Sequence, residues 1–164
     1  MKYIFIDPSG SFTEGKGHTG IAVMDDEDWN SLKVYSVAAK DFSTRHSYWT
    51  RVINFIRKHY DATIIIESFA IRNNGFLIGK MPETIRFIGA MEYIMEQYSI
   101  KYIFQTPSQA KSRFKDEDLI RHIPDFERRD NGKWYLQGKM TNDHIRDALK
   151  HLLYFHKYNK GKEH

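Results

Sequence analysis

Three acids and a histidine, far apart in the chain, stand where hydrolytic chemistry would need them. Asp7 closes the apolar run Tyr3-Ile4-Phe5-Ile6, and Glu67 closes a second run, Ile64-Ile65-Ile66. Runs of this kind read as strands buried on both faces. If the two strands lie side by side and parallel, both carboxylates emerge at one edge of the sheet. Two like charges buried together would force one of them neutral. A divalent cation removes that conflict by supplying the charge that both acids need. The C-terminal helix offers more donors. Its apolar stripe is Ile145, Ala148, Leu149, Leu152 and Phe155, and His144 and Asp147 lie beside that stripe, three residues apart. Asp143 points the other way, toward Arg146 and Lys150. Each residue also has a plain structural reading. Asp7 before Pro8 suits an Asx turn, Glu67 a solvated strand end, Asp143 the helix dipole, and His144 a half-buried surface position. All of these must hold at once if no site is present.

The elements that would position these groups follow from periodicity. Residues 2–7, 20–25 and 32–42 read as three strands of an antiparallel meander, with the Gly-rich PSGSFTEGKGHTG between the first two. Residues 47–60 read as a helix with Val52, Phe55 and Ile56 on one face. The strand at 62–68 carries Glu67. Pro82 suits the first position of a helix over 82–98, with Ile85, Ile88, Met91 and Met95 at helical spacing. A fifth strand follows at 101–106, then a short helix from Pro107. Residues 114–140 are charged, aromatic and without a regular pattern. The terminal helix starts at Asn142, and 159–164 form a basic tail. The expected fold is a single α/β domain over residues 1–164 with one mixed five-stranded sheet.

Composition narrows the chemistry. With 41% hydrophobic and 15% aromatic residues among 164, the chain has enough apolar side chains for a full core. There is no cysteine, which excludes disulfides, thiolate zinc sites and cysteine nucleophiles. A formal charge of +4 favours polyanionic partners. No apolar run approaches the roughly 20 residues of a membrane span, and the N-terminal run is too short for a signal peptide. A cytoplasmic protein is the expectation. GSFTEGKG (10–17) nearly matches a phosphate-binding loop, but Gly17 stands where Ser or Thr should hold magnesium, and a strand follows rather than a helix.

Four blocks, in order, resemble the RuvC family of Holliday junction resolvases within the RNase H-like fold. They are Ile6-Asp7-Pro8-Ser9 with Thr19-Gly20, IIIESF (64–69), YIFQTPSQAK (102–111) and HIRDAL (144–149). Small size and divergent spacing make the likeness closer to phage-encoded resolvases, which would act in the host cytoplasm. The loop from Asp7 to Thr19 is longer than the family's usual tight turn, and 114–140 match no pattern of it. The resemblance implies a three-layer α/β/α fold and a crossover junction endodeoxyribonuclease. It assigns Asp7, Glu67 and Asp147, with His144 or Asp143, to two Mg²⁺ ions, which Mn²⁺ would replace. Spacing favours His144. Hard oxygen donors without thiols suit those metals. Two ions about 4 Å apart would straddle the scissile phosphate. The products would be a 5′ phosphate and a 3′ hydroxyl.

The same resemblance places Lys111 close to the active site, and with Arg113 it is a candidate phosphate contact. Phe69, Arg72, Asn73, Asn74, Phe76 and Lys80, in the loop after Glu67, would reach the branched DNA, an aromatic there stacking on an opened base. Helix 82–98, with Gly89 and Ala90, would form a homodimer interface suited to two symmetric cuts. Two readings compete with the junction nuclease: an RNase H-like enzyme acting on RNA or hybrid duplexes, and a non-catalytic nucleic-acid-binding module of the same fold.

Overall fold

The first and fourth strands are apolar throughout because helices cover both faces of the sheet that they form. The computed structural model describes residues 1–13, 15–69 and 82–159. The central strands are β1 (Lys2–Asp7), β2 (His18–Asp25), β3 (Asp28–Ala38), β4 (Thr63–Glu67) and β5 (Tyr102–Gln105). They lie in the order β3-β2-β1-β4-β5. β1, β2 and β3 are antiparallel neighbours, whereas β4 runs parallel to β1 and β5 parallel to β4. This is the mixed five-stranded sheet expected from the sequence.

Alternation along the strands builds two cores. Ile4, Ile6, Ile64 and Ile66 pack against α1 (Arg45–Lys58) and α2 (Glu83–Gln97). Tyr3, Phe5 and Ile65 pack on the other face, against α5 (Asp143–Tyr154) and the turn of π-helix that follows it, Phe155–Asn159. The stripe of α5 is the expected one: Ile145, Ala148, Leu149, Leu152 and Phe155 are all buried. Thr44 caps α1 by accepting from Ser47 N, and Asn142 caps α5 by accepting from Ile145 N.

Several boundaries differ for identifiable reasons. β3 runs from 28 to 38 rather than 32 to 42, because Asp26 adopts a left-handed φ of 46° and reverses the chain at once. Pro82 is the N-cap of α2 rather than its first residue, since its ψ of 140° is extended. On that helix Phe87 is fully buried while Ile85 is only half-buried. Residues 107–140 hold α3 (Pro107–Lys111), α4 (Asp116–His122) and a second, antiparallel sheet of β6 (Phe126–Arg128), β7 (Trp134–Leu136) and β8 (Lys139–Met140). Phe126, Trp134 and Leu136 extend the α5-side core toward Leu32. Among the described residues no helix is long and apolar enough to cross a membrane. The expected tail lies outside the described residues beyond Asn159.

One glycine fixes the distance between α5 and the sheet. Gly20 pairs with Asp7 across β1 and β2. A Cβ placed on it would lie 2.2 Å from the backbone C and O of His144 and 2.6 Å from Ile145 N. The first turn of α5 therefore rests directly on β2 beside Asp7. Gly20→Ala must push that turn away, an overpacking cost of about 1–3 kcal/mol. In a chain of this length that is a fall in Tm of roughly 2–12 °C, and an unchanged melting curve would show that the contact is not tight.

Candidate active site

Asp7, Glu67 and Gln105 occupy the C-terminal ends of the three mutually parallel strands, each two residues beyond Phe5, Ile65 and Ile103 on the α5 side of the sheet. α5 lays His144, Asp147 and His151 over them, at spacings of three and four residues. His144 Nδ1 lies 2.5 Å from Asp7 Oδ2. Lys111, the last residue of α3, places its Nζ 2.9 Å from Glu67 Oε1, 2.9 Å from Asp147 Oδ2 and 3.8 Å from Asp7 Oδ1. Three carboxylates thus converge on a single cationic nitrogen. On the far side of the cluster Lys150 Nζ is 3.0 Å from Asp147 Oδ1 and 2.7 Å from Asp116 of α4.

The backbone leaving β1 is tied down as firmly. Tyr48 of α1 donates its hydroxyl to Ser9 O at 2.5 Å and shares a 2.9 Å hydrogen bond with Thr19 Oγ1. Ser9 N donates to that same Thr19 oxygen at 3.3 Å. Burial pushes the Tyr48 phenol up to about 12, so it remains a donor at any working pH. The long loop beyond docks on α2: Gly10 N donates to Thr84 Oγ1 and Phe12 N to Glu83 Oε2. Asp7 cannot drift from the edge.

Charge within the cluster is unevenly shared. Burial pushes the Asp7 carboxyl up from 3.8 to about 6, aided by the neighbouring Glu67 charge and opposed by His144 and Lys111. Burial acts in the same direction on Glu67, but the hydrogen bond and charge of His151, with Lys111, outweigh it and hold Glu67 below its ordinary value. Lys111 is held well above its usual range, because the carboxylates overcome its own desolvation. His144 is raised by its bond to Asp7.

No family model matches the chain, and no curated protein matches it in sequence. Solved structures do match in fold, two of them of Thermus thermophilus RuvC. Thermus thermophilus RuvC in complex with Holliday junction substrate superposes with a TM-score of 0.64 at 16% identity, covering 99% of this chain and 97% of that one. A second Thermus thermophilus RuvC structure gives 0.60 at 18% identity, covering 98% and 96%. The fold is RuvC-like. The likeness runs the length of the chain.

Within the RuvC-like frame, Asp7, Glu67, Asp147, His144 and Lys111 come together. Asp143 does not. Its side chain is 85% exposed and bonds Arg146, which also reaches Asp116 and Thr141 O. Phe69 is exposed where the chain leaves β4, and Arg113 is exposed with its guanidinium 5.5 Å from the Tyr158 ring. Arg72, Asn73, Asn74, Phe76 and Lys80 lie outside the described residues. The sequence reading missed His151 and Gln105. His151 is fully buried, with Nε2 2.7 Å from Glu67 Oε2 and Nδ1 2.8 Å from Gln105 Oε1. Carrying the helical spacing one step past Asp147 would have found it.

The donor set fits a divalent cation, since hard carboxylate oxygens from three elements already gather around positive charge. Among the described residues no three acid or imidazole side chains surround a common ion position as arranged here. The Lys111 ammonium stands at the centre instead. The cluster also predicts a pH dependence. Asp7 takes up a proton on folding between pH 3.8 and about 6, so its ionisation costs stability above that window and nothing below it. In EDTA at pH 7.5, Asp7→Asn should therefore melt higher than wild type. That margin should vanish as the pH falls toward 4. Differential scanning calorimetry at the two pH values checks both signs, and a gap that widens on acidification would contradict the assignment.

Proposed function

We propose that this chain is a divalent-metal-dependent endonuclease that resolves branched DNA, four-way junctions above all, leaving 5′ phosphates and 3′ hydroxyls. One observation carries the reading. Asp7, Glu67 and Asp147, from two parallel strands and the helix laid across them, direct oxygens at one cationic nitrogen 2.9 to 3.8 Å away. A core that merely needed to fold would gain nothing from three carboxylates gathered where one of them is pushed toward neutrality. The similar Thermus thermophilus RuvC is described in complex with Holliday junction substrate, and its fold is shared over nearly the whole chain.

The residues would divide the work as follows. Asp7, Glu67 and Asp147, with His144, would hold Mg²⁺ or Mn²⁺, and Asp143 is set aside because it is turned to solvent and to Arg146. Such ions would supply Lewis acidity and lower the pKa of a bound water, so that hydroxide is available at neutral pH to attack a phosphodiester. His144 orients Asp7 through its Nδ1 bond and shields one oxygen of that carboxylate. Lys111 balances the acids from a one-third-exposed position and so can meet an incoming phosphate from the solvent side. Arg113 and Phe69, both exposed, would contact the backbone and bases beyond. α2 keeps Phe87, Ile88, Met91 and Met95 in the core and turns Gly89 and Tyr93 to solvent. That outer face would pair with a second copy and set two sites across one junction.

Incubation of the protein with a labelled four-way junction, a linear duplex and an RNA–DNA hybrid, with Mg²⁺ or EDTA, tests the reading. Paired symmetric nicks on the junction, dependent on Mg²⁺, are expected. Asp7→Asn should abolish cutting while leaving junction affinity in EDTA unchanged. Cutting confined to the hybrid would move the activity to RNA, and tight binding without metal-dependent cutting would make the chain a binding module.

A further inference from the structure

A hydrogen-bonded chain, Gln105–His151–Glu67, runs beneath the carboxylate cluster and has no part in the roles given so far. His151 is 0% exposed and Gln105 is 1% exposed. An imidazole and an amide buried between sheet and helix are costly unless their polar atoms are paired. Both ring nitrogens are paired, Nδ1 with Gln105 Oε1 at 2.8 Å and Nε2 with Glu67 Oε2 at 2.7 Å. Bonds at opposite edges of a planar ring, inside a packed core, leave it no freedom to turn.

The consequence falls on Glu67. A glutamate has a soft terminal torsion, so an unanchored carboxylate can present either oxygen, or both, to a cation. Here Oε2 is held by His151, and only Oε1 faces the centre, 2.9 Å from Lys111 Nζ. The second atom of the Gln105 amide supports the same conclusion. Gln105 Nε2 is buried without a partner, and a half-turn of the amide would let it donate to His151 Nδ1. With the amide turned that way, the neutral ring carries its proton on Nε2 and donates it to Glu67 Oε2. α5 reinforces the arrangement, because His151 lies four residues after Asp147 and seven after His144, on the same face of the helix.

We propose that His151, keyed by Gln105, is a positioning residue that pins one oxygen of Glu67, so that Glu67 offers a single oxygen to the divalent ion of the cluster. The inference rests on the metal-dependent reading above. A histidine that only filled space would be replaceable by any side chain of similar volume, whereas a positioning histidine needs a donor at Nε2.

Direct Mn²⁺ binding, read from the free-ion signal by electron paramagnetic resonance, separates these roles without any cleavage assay. Loss of a bond that orients a metal ligand weakens the metal roughly 10–100-fold. His151→Phe should show a loss of that size while its junction affinity in EDTA and its circular dichroism match wild type. His151→Gln, which can return an N–H to Glu67, should recover most of the affinity. Gln105→Leu should weaken Mn²⁺ in the same direction, and adding it to His151→Phe should cost nothing further. If His151→Phe does not fold, Gln105→Leu and His151→Gln carry the test. Equal Mn²⁺ affinity in wild type and His151→Phe, or no recovery in His151→Gln, overturns the positioning role and leaves the nuclease reading standing. Failure of the wild-type protein to take up Mn²⁺ would overturn the metal reading itself, and this inference with it.

Discussion

Carboxylates at one buried edge cannot all stay charged without a cation among them, and the local structure is organised around that demand. The Lys111 ammonium meets it in the isolated chain. Lys111 is delivered by α3, a helix of only five residues, whose start is fixed by Pro107 and by Gln109 accepting from Thr106 N at 2.7 Å. A lysine on so short an element, one-third exposed, balances the acids without sealing them from solvent. The raised Asp7 carboxyl shows that the balance is incomplete.

α5 supplies the remaining compensation. Each acid at the sheet edge has its own imidazole from this helix, His144 for Asp7 and His151 for Glu67. Asp147, which α5 itself contributes, is flanked by Lys111 and Lys150. Lys150 also reaches Asp116, as does Arg146, so α4 is bound to the back of the same helix. Because Gly20 lets the first turn of α5 sit directly on β2, His144 meets Asp7 without an intervening layer. Tyr48, Thr19 and Ser9 fix the other side of Asp7 from within the opposite core. The acid is held from both layers of helix.

Much of this was legible in the sequence because it rests on long, regular patterns. Two apolar runs ending in acids gave the paired strands, and the wheel of α5 put His144 and Asp147 on the sheet and Asp143 off it. The apolar stripe Ile145 to Phe155 is buried as its spacing required. What escaped has physical reasons. β6, β7 and β8 are three, three and two residues long, too short for alternation to register. Their turns use left-handed backbone at Asp125, Gly132, Gln137 and Gly138, of which only the glycines announce themselves by type. The contact between Gln105 and His151 was hidden differently. Each sits inside an element that reads as core, and nothing local reveals that the two meet across 46 residues.

The core and the site are products of the same two periodicities. On the α5 face of the sheet, Phe5, Ile65 and Ile103 form one row across three strands, and Asp7, Glu67 and Gln105 form the next. Two residues along each strand convert a dry row into a polar one. α5 matches both, with Ala148, Leu149 and Leu152 over the apolar row and His144, Asp147 and His151 over the polar one. A slip of one residue in β4 would carry Glu67 to the face covered by α1 and α2, away from every partner it now has. Ile64 and Ile66 prevent that slip, since it would take them out of their own core. The isoleucines that bury the strand are therefore what aims its carboxylate, and the chemistry at the edge is only as well placed as the packing behind it.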